Sequence, residues 1–372
     1  MIKRIAVTLV LIVSALGLFA QTKKANNISL LLPFCSTQLL ENPNYKDAEL
    51  GNLCREYYQG VLIALDSFER AKVSIRLSVF DTENDSLKVL SIMQKATFKE
   101  SELIIGPVKQ GGNQVLSQFC KKNEVYHVSP LMTFSKSKVD DPYWISANPD
   151  LPAYASILVK HITNQDALAQ IIVVADKSVI GKSIGAAFKT LSTDKKLKIK
   201  VLDYSAALDL KLYTSATNSN HIIIASTQES AVNGTLRNIK DTSNISQLHT
   251  YGLMQWFDFK TLNYDLLERC NTVIASPFFV DYGHADVKQF IAEYRQKFNT
   301  EPSEAAFKGY DQMLLFAQAL NKQGKRFMDN LNDQNQKMLG TTYYFVKQKN
   351  GSYQTMYLNL MKVANYKLVR VN

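Results

Sequence analysis

The sequence lacks the signatures that mark most enzymes and metal proteins. Its five histidines, at positions 127, 161, 221, 249 and 284, are scattered without the short spacings that hold a metal, so no metal site is expected. Neither G-x-S-x-G nor G-x-G-x-x-G occurs, which removes the serine-hydrolase elbow and the dinucleotide fingerprint. Ile180-Gly181-Lys182-Ser183 resembles the end of a phosphate-binding loop, but that loop needs glycine where Asp176 stands. Ser135-Lys136-Ser137-Lys138 fits S-x-x-K by letter, with no S-D-N or K-T-G to accompany it. The pair Asp140-Asp141 precedes Pro142, where a turn suffices to explain it. A non-enzyme without a cofactor is expected.

Glycine (15) and proline (9) are sparse, and no short repeat or low-complexity segment is present. With 46% apolar and 20% charged residues, the chain can bury ordinary cores. Long apolar runs are missing except at the start. There, Lys3 and Arg4 precede an apolar run from Ile5, and Ala15, Gly17 and Ala20 lie near its end. This layout predicts a signal peptide over residues 1–20, cut after Ala20, with a membrane anchor as the other reading. No cysteine stands at the cut, so no lipid anchor is expected. The mature protein is expected in the periplasm, without stable membrane insertion. The net charge of +10 is spread, and no basic run is interleaved with aromatics, so it is read as a solubilising surface and not a nucleic-acid site.

Only four cysteines occur. Cys35 and Cys54 flank one long polar loop, and in an oxidising compartment they are a candidate disulfide. Cys120 and Cys270 are expected as buried thiols.

What is present is an alternation of short apolar runs with amphipathic segments. Strands are expected near 28–33, 73–80, 102–107 and 125–130, with helices from Asn52, after Asp85 and near 111–122. After the proline-marked stretch 147–152 a second series begins, with strands near 170–176, 197–204, 220–226, 248–253 and 272–282. Two long helices follow near 284–298 and 303–323, then a hairpin turning at Lys349-Asn350-Gly351. Two strand–helix–strand series in about 350 residues predict an α/β protein with two doubly wound lobes. In that architecture ligands sit at the carboxyl ends of strands, near helix N-termini.

Several segments together resemble the type I periplasmic binding proteins, the family of the branched-chain amino-acid receptors. They are ISLLLPF, IIGP, VSPLMT and the long stretch from Phe278 to Leu320, in which Tyr294, Phe298, Pro302, Ala306, Gly309, Tyr310 and Asp311 follow the family pattern. A weaker similarity, in LLLP and in a Gly-Pro loop with a lysine, is to the binding-protein-like domain of the lipoprotein activators of penicillin-binding synthases. The resemblance implies two lobes joined by three crossovers around a cleft: residues 28–147 plus 278–330 in the first, and 148–277 plus 331–372 in the second. It implies ligand-binding residues Lys109, Gly111, Gly112, Ser129 and Thr133 in the first lobe. In the second it implies Asp176, Thr227, Glu229, Trp256 and Asp281, with Trp256 either stacking on a ligand or plugging the wall. The usual serines are missing from the loop Gly106–Gly112, so an ordinary aliphatic amino acid fits poorly, and Lys109 favours an acidic group. The implied partners are a small polar ligand with an ABC-type membrane permease or, alternatively, a cell-wall protein meeting a degenerate cleft.

Overall fold

The computed structural model describes residues 25–131, 141–167, 169–195, 197–215, 217–240 and 247–371. The expected signal peptide, Thr133 and the S-x-x-K stretch lie outside the described residues. The chain forms two sheets. The first has the order β11 (Asn335–Lys337), β12 (Thr342–Lys347), β13 (Tyr353–Thr355), β5 (Trp144–Ser146), β4 (Tyr126–Ser129), β3 (Leu103–Ile105), β1 (Asn26–Leu32), β2 (Ile75–Asp81). The second runs β15 (Lys367–Arg370), β14 (Asn359–Ala364), β10 (Val273–Ser276), β9 (Leu248–Leu253), β8 (Asn220–Ala225), β6 (Gln170–Ala175), β7 (Ile199–Asp203). From β13 to β2, and from β10 to β7, all pairings are parallel, as helical crossovers require.

The strand sequences follow from burial. β6 and β8, inside the second sheet, are β-branched runs (Ile171–Val174, Ile222–Ile224) covered on both faces. β2, at the edge of the first sheet, is half-exposed or exposed throughout except at Phe80. Helix starts are set by short polar side chains: Asp85 accepts from the Leu87 amide, Asp150 from Ala153 and Ser303 from Ala306.

Two helices distant in sequence, Ala48–Arg70 and Glu304–Gln323, pack together on the first sheet. Their approach is close because glycines meet backbone. A Cβ on Gly60 would lie 1.8 Å from the Ala306 carbonyl oxygen, and one on Gly309 would lie 1.9 Å from that of Tyr57. Tyr57 then donates to Gln312, which donates to the Pro130 carbonyl at the end of β4, so the late helix positions an early loop.

Three short crossovers join the sheets, at 147–150, 277–284 and 356–358. Each leaves the carboxyl end of its strand (β5, β10 or β13), so these crossovers bring the carboxyl ends of the two sheets towards each other. Ser146 and Ser276 occupy matching places: each hydroxyl donates to the carbonyl two residues on, Asn148 or Phe278.

Two expectations are corrected. The tail does not belong wholly to the second lobe: β11–β13 extend the first sheet, and only β14 and β15 join the second. The hairpin at 349–351 pairs with β5 because Tyr353 finds aromatic partners there, its ring 6.0 Å from Tyr126. Cys35 and Cys54 are not bonded; like Cys120 and Cys270 they are free, buried thiols. The polar loop between them needs no staple, since it folds into the helix Ser36–Glu41, and the Asp81 carboxylate takes the Cys35 and Ser36 amides. Burial pushes Cys35 up to about 11 and Cys54 up to about 12, which keeps both protonated and unreactive.

Candidate functional site

The candidate residues of the first lobe gather where β1, β2, β3 and β4 end. β3 leads into Gly106, whose φ of +101° and contact with the Leu31 carbonyl (2.0 Å from an added Cβ) admit only glycine. The cis Gly106-Pro107 bond follows, and Lys109 precedes the helix Gln110–Asn123. Lys109 is exposed, and among the described residues no carboxylate pairs with it. Around it stand Pro33, Asn84, Ser86 and Gly112, lining a crevice of only about 10 Å³. Gly111 faces Ser86 Oγ and Gly112 packs on Pro107, so Gly112 serves close packing. Ser129 is fully buried and its hydroxyl has no hydrogen-bond partner among the described residues.

The candidates of the second lobe, Asp281 excepted, gather at the ends of β6, β8 and β9, where neighbouring residues engage the polar groups of Asp176, Trp256 and Glu229. Asp176 is buried; its carboxylate accepts the Ser178 amide at 2.8 Å and the hydroxyls of Ser178 and Ser226. Trp256 is wholly buried, donates to the Ser226 carbonyl at 2.9 Å, and lies against Gly252, where an added Cβ would be 2.3 Å from its ring. It plugs the wall and offers no face for stacking. Glu229 takes the Thr261 amide at 2.7 Å and the Thr261 hydroxyl; these bonds hold its carboxyl below the usual range. Thr227, half-buried, adjoins this set.

Asp281 stands apart. Its side chain is exposed and accepts the Gly283 amide, and it borders a groove of about 910 Å³ against the crossovers whose lining includes none of the other candidates. Sequence reasoning missed Ser178, Ser226 and Thr261, the donors that engage Asp176 and Glu229. Ser178 was within reach, since an acid two residues before a serine at a helix start suggests a local turn. Ser226 and Thr261 are brought in only by strand pairing and loop packing. Among the described residues no group of three or more His, Cys, Asp or Glu is placed to hold a metal, and no helix is long and apolar enough to cross a membrane.

Two parallel-sheet lobes tied by three crossovers, with polar loops at the facing strand ends, define a binding-protein architecture. The sequence matches the family described as periplasmic binding protein over residues 50–364, and the chain belongs to that family. Among curated proteins, no sequence matches. Solved structures share the fold at low identity. A putative branched-chain amino acid ABC transporter protein from Rhodospirillum rubrum superposes with a TM-score of 0.67 at 12% identity, over 94% of this chain and 100% of that one. An ABC transporter substrate-binding protein from Desulfitobacterium hafniense gives 0.60 at 16%, over 94% and 100%. LpoA from Haemophilus influenzae gives 0.64 at 16%, over 95% of this chain and 60% of that one.

Proposed function

We propose that the protein is an exported, non-enzymatic solute-binding protein that takes a small acidic molecule between the strand-end loops of its two lobes and presents it to a membrane permease. One observation carries this reading. The second-lobe acids that would hold a ligand ammonium, Asp176 and Glu229, are already bonded to their own serine, threonine and amide donors, while Lys109 opposite has no carboxylate partner among the described residues. An extra cation in the ligand finds little free counter-charge there; an anion finds Lys109, with Asn84 and Ser86 beside it, while Asp85 of the same crevice accepts the Leu87 amide as a helix cap. The departure from an aliphatic amino-acid ligand follows from the same balance.

Calorimetry against dicarboxylic acids, acidic amino acids and muropeptides tests it. A ligand from this set is expected to bind, and Lys109→Ala is expected to weaken it by about 1.5–3 kcal/mol, as for a hydrogen bond to a charged group. Unchanged affinity removes Lys109 from the site.

A second reading is favoured by a separate feature of the second lobe. Met254, Tyr282 and Tyr366 are exposed around a groove of about 570 Å³ floored by Phe257, Tyr264 and Phe278. Exposed aromatic surface of this kind suits a protein contact, as in an interaction module at the cell wall. Absence of binding across the whole acidic set, with retained fold, favours this second reading.

A further inference from the structure

The groove against the crossovers is separate from the strand-end loops, and its two walls come from different parts of the chain. One wall is the helix pair of the first lobe, through Ser67, Arg70, Tyr310 and Gln318; the other is Thr342 and Arg370 from the terminal hairpins. Tyr310 to Gln318 spans about 12 Å of helix at 1.5 Å per residue, so the groove suits an extended ligand. Its volume of about 910 Å³ is that of pockets which enclose ligands much larger than a single small ion.

Arg370 is the anomaly in this groove. Its Nη2 donates to the Tyr357 hydroxyl at 2.6 Å and to Thr342 Oγ1 at 3.4 Å. Among the described residues its buried Nε has no acceptor, and no carboxylate pairs with the guanidinium. A buried N–H of a permanent cation is costly to leave without an acceptor. Arg70, on the same groove, shows the contrast: it is closed off by Glu293 at 3.1 Å. A carboxylate entering beside Arg370 accepts from Nη1, which no described residue engages, in a charge-assisted hydrogen bond. The carboxylate of Asp281, which accepts only the Gly283 amide among the described residues, and Asp286 border the same groove and supply counter-charge for an ammonium.

The geometry points to a second ligand site in this groove, for a short peptide whose carboxylate is held by Arg370. It goes beyond the strand-end reading and does not depend on it. Because its walls come from both sheets, an occupant touches both lobes.

The test is calorimetric titration of the full chain with trialanine, which lacks the side-chain acid read at the strand-end loops, and, separately, with citrate. The tripeptide is expected to bind, with affinity at least tenfold weaker in Arg370→Gln. Gln318→Trp, an exposed position that narrows the groove without entering the core, is expected to weaken it as well. Should Arg370→Gln lose its thermal transition, Gln318→Trp carries the test alone. Absence of tripeptide binding, or indifference to both groove variants, overturns the site. Loss of binding in Lys109→Ala moves the peptide to the strand-end loops and overturns it too. Citrate binding as well as the tripeptide, with the same dependence on Arg370, overturns the peptide assignment in favour of a simple anion site.

Discussion

The first lobe is assembled from two long stretches of chain, 26–146 and 285–355, whereas the second is nearly continuous from residue 151 to 276 and adds only one hairpin. The difference shows in what holds each together. The second core is dominated by aliphatic strands such as Ile171–Val174 and Ile222–Ile224. The first also depends on placed features that lock distant segments: the Gly60 and Gly309 contacts, the His127–Asp141 pair at 2.9 Å, and Asp311. Asp311 is fully buried and accepts the amides of Leu339, Gly340 and Thr341 at 2.9–3.1 Å, which fixes the chain entering β12. Segments joined late in the chain lean on such locks; the contiguous second lobe adds Ser226 to Asp176 and Trp256 against Gly252 to a core of aliphatic strands.

The largest effect is expected at Asp311. Asp311→Ala leaves three inward-facing amides without their acceptor, at about 1–3 kcal/mol each, so a loss of about 4 kcal/mol is expected in urea unfolding. A loss below about 1 kcal/mol breaks the idea that this lock matters.

A matched pair of glycine substitutions comes next. Gly309→Ala drives a methyl into the Tyr57 carbonyl and is expected to cost about 3 kcal/mol. Gly185→Ala in the second lobe meets only the Ala175 and Val201 side chains at 3.2 and 3.4 Å, and is expected to change stability by under about 1 kcal/mol. Equal melting-temperature shifts in the two variants remove the contrast between the lobes.

Two buried groups, one in each lobe, are expected to respond to acid in opposite directions. His221 is buried and stacked on His249, and burial, then the His249 charge, push it down from 6.5 to about 4. The fold favours the neutral ring, so the second lobe loses stability as pH falls from about 6.5 towards about 4. Burial pushes Asp311 up to about 7 from 3.8, against the pull of its amide donors. The fold favours the protonated acid, so this contribution to the first lobe is lost as pH rises from about 3.8 through about 7, and grows on acidification. The chain has two tryptophans, Trp144 in the first lobe and Trp256 in the second, so Trp144→Phe leaves a fluorescence reporter of the second lobe. Denaturation of that variant is expected to need less urea at pH 5 than at pH 7.5; a higher midpoint at pH 5 contradicts the histidine argument.

The smallest expected effect is none. With four free thiols, a reducing agent leaves the melting temperature unchanged, and alkylation of the unfolded chain without reductant labels all four cysteines. A mass two hydrogens short, with a lower melting temperature on reduction, restores a disulfide.

Much of the fold was legible. The β-branched runs of β6 and β8 carry their character openly, and of the stripe Leu53, Tyr57, Val61, Leu65, Phe68 the residues Tyr57, Val61 and Phe68 are buried while Leu53 is exposed, because burial on two faces or on one selects those residues. β5 was not legible: three residues, Trp144–Ser146, are too few to show a period. The division of the tail was hidden for a different reason. Both terminal hairpins alternate in the same way, and only the sheet edge each one meets assigns it to a lobe. In the candidate site, Asp176, Glu229 and Trp256 were found as residues near strand ends, but not their state.

The sequence by itself determined the alternation of strands and helices, the two series, and the positions of polar residues at strand ends, since each depends on neighbours within a few residues. Only the tertiary structure decided which of those residues are available to a ligand. Ser226 reaches Asp176 across paired strands, Thr261 reaches Glu229 from another loop, and Arg370 comes to a groove built largely by helices of the other lobe. Whether a charge is engaged or free depends on a partner dozens to hundreds of residues away, and chain order carries no local trace of that distance.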